Sequence, residues 1–234
     1  MRKTIVISVA RSGTNYALNV IDKLLDKPLM LKEIFRDAGD NHEILNKLVN
    51  YDGLSKQDKG LKLWQNIAEV AEQHEYTDLV AKIFYYHRAQ DTELWNSFND
   101  DHTIIHLIRG NIFNMFVSLK LAELTDQWQL KNDEDRKSID SLVIDRAELL
   151  AFIEEMKKLI CKVRSEKSNL DNYHEIYYED IASSVSDCME RLAKIYHIED
   201  FEVRDVEQRR QKVLSNEELI ENYSEVSDLD RILI

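Results

Sequence analysis

The sequence predicts a three-layer α/β fold in which a mainly parallel sheet is flanked by helices. Short apolar runs rich in β-branched residues alternate with longer stretches whose apolar residues recur at helical spacing. This alternation is typical of strand–helix–strand units that build a parallel sheet. The 234 residues contain no repeat and no break in composition, so we expect a single domain spanning residues 1–234.

The first strand, loop and helix form the clearest part of this pattern. Residues 5–10 are a short apolar run, as expected of a strand buried on both faces. The polar residues 11–15 interrupt the run, and apolar side chains then recur at helical spacing from residue 17 to residue 25. Pro28, the only proline, follows and is expected to end this helix.

The remaining elements follow from the same two periodicities. Further buried strands are predicted at residues 79–86, 103–108 and 175–178. Residues 29–35 are expected to be extended or loop. Helices are predicted at residues 61–74, 92–98, 112–124, 144–168 and 181–196, with shorter helical pieces near 43–49 and 217–223.

The loop at residues 11–15 indicates an anion-binding site. A strand–loop–helix unit directs backbone N–H groups and the positive end of the helix dipole at one point. Gly13 allows an unusual backbone conformation, Ser12 and Thr14 add hydroxyl donors, and Arg11 adds a fixed charge. The alternative interpretation is an ordinary turn with a capping hydroxyl. Because no lysine follows Gly13, the loop is not a Walker A motif, which argues against a standard ATPase or GTPase.

Three further polar side chains come directly after predicted strands, namely His87, Arg109 and Glu179. In a parallel sheet the carboxyl ends of the strands meet at one edge, where ligands bind. We therefore expect these three groups to gather near Arg11.

Composition excludes several classes of partner. A formal net charge of -13 disfavours nucleic acid, which needs an excess of basic surface. The two cysteines show neither a disulfide framework nor metal-ligand spacing, so we expect no metal. No window supplies the ~18 consecutive apolar residues of a membrane span, and the first apolar run is too short for a signal peptide. We expect a cytoplasmic chain that is not an integral membrane protein.

Two segments resemble the signatures of sulfotransferases that use 3'-phosphoadenosine-5'-phosphosulfate (PAPS). Residues 7–21, ISVARSGTNYALNVI, are similar to the phosphosulfate-binding loop of that family, and residues 106–122, HLIRGNIFNMFVSLKLA, to its second signature. The spacing between Arg109 and Ser118 resembles that of the bacterial, Nod-factor-like carbohydrate sulfotransferases. Residues 178–180, Tyr-Glu-Asp, resemble a further family sequence with a structural role.

The resemblance implies a P-loop-like sulfotransferase fold with PAPS as the sulfuryl donor. It implies that Arg109 and Ser118 hold the 3'-phosphate, although a serine two turns into a helix is otherwise an ordinary helix-surface residue. Arg210, in a basic segment near the C-terminus, would close over the nucleotide, or would belong to a solvated run of charges. The residues assigned to the phosphosulfate are those of the loop: Arg11, Ser12, Gly13, Thr14 and Asn15.

An acceptor hydroxyl needs a general base, and two candidates stay open. Glu33 is the first, because Glu33-Ile34-Phe35 resembles a segment that carries the proposed base in bacterial carbohydrate sulfotransferases. His87 is the second, because the imidazole pKa suits proton transfer near neutral pH. The alternative roles are a solvated loop carboxylate for Glu33 and a capping or substrate-orienting residue for His87.

Two further polar residues fall inside predicted strands. Lys82 must either pair with another group or reach the site, where it would touch the sulfate or the acceptor. His106, flanked by apolar residues, is interpreted as a core histidine whose hydrogen bonds are satisfied.

Together these features favour a PAPS-dependent sulfotransferase acting on a hydroxyl of a carbohydrate or glycolipid. Arg11 and the loop N–H groups would stabilise the leaving phosphate, which makes Arg11 a catalytic candidate beside Glu33 and His87. A P-loop-like nucleotide kinase and a non-catalytic nucleotide-binding module are the alternatives. The expected partner is a small-molecule or glycan acceptor, and the oligomeric state stays open.

Overall fold

A computed structural model describes residues 1–33, 42–49, 60–128, 136–137, 139–206 and 214–234. It contains a five-stranded sheet in the order β2-β3-β1-β4-β5 in which every pairing is parallel, and helices flank this sheet. The predicted fold class is therefore confirmed. The strands are β1 (Arg2–Ser8), β2 (Pro28–Met30), β3 (Asp78–Phe84), β4 (His102–Ile108) and β5 (Tyr173–Tyr177).

Eleven helices are assigned in the described residues, most of them at predicted positions. They are α1 (Thr14–Leu24), α2 (His42–Val49), α3 (Leu61–Gln73), α4 (His87–Gln90), α5 (Thr92–Ser97), α6 (Ile112–Thr125), α7 (Arg146–Lys167), α8 (Tyr178–Ser183), α9 (Val185–Tyr196), α10 (Asn216–Leu219) and α11 (Tyr223–Val226).

Some boundaries differ from the predicted ones. The first strand ends at Ser8, so the following two apolar residues belong to the loop. β2 was predicted only as extended or loop, because three residues are too few to show a period. The single helix expected at residues 181–196 is broken at Ser184, whose hydroxyl caps α9 by accepting the N–H of Asp187.

Side chains of successive strand residues point to opposite faces of the sheet, and each face is covered. Ile105 and Leu107 of β4 belong to a buried cluster that includes apolar residues of α1 and α9. His102, on the other face, accepts a hydrogen bond from the indole of Trp64 in α3 at 2.9 Å. These contacts create the three layers.

The chain divides into two compact units. The first contains residues 1–108 and 163–206, and therefore the entire sheet. The second contains residues 109–162 and 207–234, with α6, most of α7 and the two short C-terminal helices. The expectation of a single domain stays a prediction.

No helix in the described ranges combines the length and the apolar character needed to cross a bilayer.

The interpretation of His106 as a satisfied core histidine is confirmed. Its Nε2 lies 2.8 Å from the hydroxyl of Tyr85, and its Nδ1 lies 2.6 Å from the hydroxyl of Tyr173. The Tyr173 hydroxyl donates in turn to Glu175 at 2.7 Å, and Arg164 donates to both oxygens of that carboxylate. Both ring nitrogens of His106 are therefore occupied by hydrogen bonds inside the protein, and the residue has a structural role.

Because several histidines lose solvation on folding, we expect the free energy of unfolding to fall in mild acid. Loss of solvation lowers the pKa of the three buried histidines, His87, His102 and His106, and of the partly buried His174 from 6.5. As the pH falls below 6.5, the unfolded chain therefore binds protons before the folded chain does, and the free energy of unfolding decreases. We expect the melting temperature to be lower at about pH 5.5 than at about pH 7.5.

A variant in which one of these histidines cannot be protonated tests the cause of the lower melting temperature in acid. His102→Gln keeps a donor and an acceptor but cannot gain a proton, so the slope of melting temperature against pH should become shallower. A melting temperature independent of pH over this range in the wild-type protein would contradict the expectation.

Candidate active site

The loop between β1 and α1, for which the sequence predicts an anion cradle, combines two left-handed residues with the N-terminus of α1. Arg11 and Gly13 both have left-handed backbones, with φ of 68° and 80°. The first helical N–H with a partner inside the helix is that of Ala17, which donates to the Gly13 carbonyl at 3.0 Å. The preceding N–H groups of α1 have no carbonyl within the helix to bind. The hydroxyl-bearing residues Ser12 and Thr14 are buried within the loop.

Gly13 is required for a second reason besides its φ angle. A Cβ atom at this position would lie 2.2 Å from Cδ2 of Tyr178, the first residue of α8. The space beside Gly13 is therefore occupied by an aromatic ring of the protein. Tyr178 supports the loop from the side of β5, in agreement with the structural role expected of residues 178–180.

Lys82 connects the loop to the first candidate base. Its side chain, only 4% exposed, places Nζ 3.1 Å from Oε1 of Glu33. The same ammonium donates to Oδ1 of Asn15, in the first turn of α1, at 3.0 Å. One buried cation on β3 thus holds the first turn of α1 and a carboxylate together.

The position of Glu33 follows from the pairing of β2 with β3. Beyond the last residue of β2, the Leu31 N–H donates to the Val80 carbonyl at 2.7 Å. The Lys82 N–H then donates to the Lys32 carbonyl at 3.2 Å, which continues the chain along β3. Glu33 is the next residue, and its side chain is 17% exposed. The alternative of a fully solvated loop carboxylate is therefore wrong.

His87, the second candidate base, is buried and has one ring nitrogen engaged. Its Nδ1 accepts the backbone N–H of Phe84 at 3.1 Å, so the neutral ring carries its proton on Nε2. Burial lowers the pKa of His87, while the charge of Glu33 acts in the opposite direction. In this tautomer Nε2 is a hydrogen-bond donor, which suits contact with an anionic oxygen better than removal of a proton.

The structure brings together part of the predicted site. Asn15, Lys82 and Glu33 are joined by direct contacts, and the charge of Glu33 acts on His87. Arg109, directly after β4, and Ser118, in α6, belong to the second unit, where both are partly buried. Arg210 lies outside the described residues. Sequence reasoning missed the bond from Lys82 to Asn15, although a lysine in a buried strand signalled that a partner exists.

Comparisons with known proteins find similarity to solved structures. No protein-family model and no curated protein matches this chain. Among solved structures, mouse sulfotransferase SULT7A1 complexed with PAP matches with a TM-score of 0.49 and 15% identity, over 98% of this chain. The chain spans 63% of the length of that mouse chain. A sulfotransferase domain from the curacin biosynthetic pathway matches with a TM-score of 0.47 and 13% identity, over 86% of this chain and 76% of that one.

Gly13→Ala tests the two constraints on the loop. The methyl group would collide with the Tyr178 ring and would also impose a left-handed φ on alanine. We expect the free energy of unfolding in urea to fall by about 2 kcal/mol or more.

The same substitution in a Tyr178→Ala background separates the two effects. There the collision is absent and only the cost of the φ angle remains, so the loss should be smaller. An equal loss in both backgrounds would show that the ring does not constrain the loop.

Proposed function

We propose that this chain is a PAPS-dependent sulfotransferase that transfers a sulfuryl group to an acceptor hydroxyl. The observation that carries the proposal is the anion cradle at residues 11–15, joined through the buried Lys82 to the carboxylate of Glu33. The cradle supplies positive charge and the carboxylate supplies a proton acceptor. These are the two groups that sulfuryl transfer to a hydroxyl requires.

The cradle suits the donor in charge and in shape. Arg11 offers a planar guanidinium, Ser12 and Thr14 offer hydroxyls, and the start of α1 offers backbone N–H groups. These donors would bind the phosphosulfate and stabilise the negative charge that develops on the leaving phosphate. A sulfuryl group carries less charge than a phosphoryl group, so such donors can replace a metal ion.

Glu33 is assigned as the general base. The acceptor oxygen attacks sulfur, its proton passes to the Glu33 carboxylate, and the bond from sulfur to the phosphate oxygen breaks. The products are the sulfated acceptor and adenosine 3',5'-bisphosphate (PAP). His87, with its proton on Nε2, is assigned a positioning role as a donor to the transferring group. Lys82 orients the carboxylate that receives the proton.

A carbohydrate or glycolipid is the proposed acceptor. Tyr86 stacks on His87 with ring centroids 4.2 Å apart, and it remains 46% exposed. An exposed aromatic ring beside the reacting groups offers a flat surface to the apolar face of a sugar. Tyr85 and Trp95 are buried and pack in the core, so their rings are not accessible to an acceptor.

Nucleotide selectivity tests the proposed donor. By isothermal titration calorimetry, PAP should bind more tightly than ATP, because Arg109 and Ser118 are assigned to the 3'-phosphate. Arg109→Ala should weaken PAP binding by about 2 kcal/mol and leave the binding of AMP nearly unchanged.

Tighter binding of ATP than of PAP would favour the nucleotide-kinase alternative. Equal losses for PAP and AMP in Arg109→Ala would show that Arg109 does not contact the 3'-phosphate.

The turnover of the Glu33→Gln and His87→Ala variants tests which residue is the general base. Glu33→Gln keeps the shape of the side chain but cannot accept a proton, so kcat should fall about 100-fold or more while PAP affinity barely changes. His87→Ala should cost less turnover, because a donor contact is lost and the base remains. The reverse ranking, with Glu33→Gln near wild type and His87→Ala inactive, would assign the base to His87.

A further inference from the structure

The C-terminal segment, defined as residues 214–234, contacts the start of α6 within the second unit. The Ile234 N–H donates to the Gly110 carbonyl at 3.3 Å, and Leu233 forms an antiparallel bridge with Asn111. These contacts lie on the two residues that follow Arg109 in the chain. The end of the chain therefore holds the backbone that carries Arg109.

Asp230 is the centre of the polar contacts in this region. Its Oδ2 accepts hydrogen bonds from Asn216 at 2.7 Å and from the hydroxyl of Tyr223 at 2.9 Å. Its Oδ1 and its backbone carbonyl accept from Nδ2 of Asn111 at 3.3 and 3.2 Å. The amide of Asn216, a residue only 8% exposed, also donates to Asn114 at 3.0 Å.

Asn111 connects Asp230 to the first turn of α6. Its Oδ1 caps α6 by accepting the N–H of Asn114 at 2.7 Å, while its Nδ2 binds Asp230. The two ends of one amide group are thus committed to different partners, which fixes the orientation of the side chain. The first turn of α6 lies between Arg109 and Ser118 in the sequence, so its placement affects both residues.

We propose that Asp230 is a positioning residue for the nucleotide 3'-phosphate, acting through Asn111 on the segment that begins with Arg109. This inference rests on the proposed function, in which Arg109 and Ser118 bind that phosphate. It adds a role for the C-terminal segment in nucleotide recognition. Small displacements of a phosphate-binding arginine weaken a charge-assisted contact strongly, because that contact depends on distance and angle.

A carboxylate is required at position 230, and an amide cannot replace it. Both carboxylate oxygens accept from amide N–H groups, Oδ1 from Asn111 and Oδ2 from Asn216. An asparagine has one oxygen and one NH₂ group, so in either orientation one donor would face another donor. Asp230→Asn preserves volume and removes this complementarity together with one negative charge, and the control described below removes an equal charge from the same segment.

Calorimetry with two nucleotide probes tests the proposal on the whole 234-residue chain. Asp230→Asn should weaken the binding of PAP about 10-fold, while the affinity for AMP, which lacks the 3'-phosphate, should stay within about twofold. The matched control is Asp228→Asn. Asp228 lies in the same segment, pairs with Arg146 at the start of α7, and has a side chain that is 61% exposed. This control should bind both nucleotides as the wild type does.

Tyr223→Phe gives an independent and milder test. It removes one hydrogen bond to the same carboxylate and keeps the aromatic ring that packs against Phe113. PAP affinity should fall about threefold with AMP affinity unchanged. This variant decides the question if Asp230→Asn fails to fold in a thermal melt.

The outcomes separate this inference from the proposed function. If Arg109→Ala leaves PAP binding unchanged, the assignment of the 3'-phosphate to Arg109 fails. If Arg109→Ala weakens PAP binding but Asp230→Asn and Tyr223→Phe do not, the proposed function stands and the role of Asp230 is overturned. An equal loss for PAP and AMP in the Asp230 and Tyr223 variants would also overturn it, because a general loss of structure does not select for the 3'-phosphate.

Discussion

The ion pair between the buried ammonium of Lys82 and Glu33 is the interaction on which the candidate site depends. Removing a charge from water is costly unless other groups compensate it. Glu33 supplies the opposite charge, and Asn15 supplies a second acceptor. Glu33 follows β2 and Asn15 lies in the first turn of α1. The contacts that compensate the charge of Lys82 therefore fix β3, the chain after β2 and α1 relative to one another. The parallel pairing of β2 with β3 makes this possible, since it continues past β2 and delivers Glu33 beside Lys82.

The loop is supported from two sides of the sheet. β1 lies between β3 and β4, and β5 lies beyond β4. From the β3 side, Lys82 holds Asn15. From the β5 side, the ring of Tyr178 occupies the space that a side chain at position 13 would need. A loop held in this way keeps its backbone in place, so the anion binding that we propose would require little reorganisation.

The parts of the fold that were predictable are those with a strong local signal. β1, β3, β4 and β5 are apolar runs, and α1 has a regular helical period, so both patterns are readable without tertiary contacts. β2 and the break between α8 and α9 were missed because three residues and one capping serine carry little periodic information. Within the candidate site, the loop and Glu33 were predicted through resemblance, and their roles stay predictions. The pair that Lys82 makes was not, because it depends on which residue β2 brings alongside β3, and sequence spacing does not encode that register.

In the proposed mechanism, the Lys82 ammonium links an anion-binding loop to the Glu33 carboxylate that accepts the proton. The most direct measurement is the NMR signal of the Lys82 ammonium in protein labelled isotopically at lysine nitrogen, assigned by its absence in Lys82→Met. A buried, hydrogen-bonded ammonium exchanges slowly with water and is therefore observable. We expect this signal to move during titration with PAP and to stay in place with adenosine. A signal that stays unchanged at saturating PAP would show that Lys82 does not connect the loop to Glu33 in the way proposed.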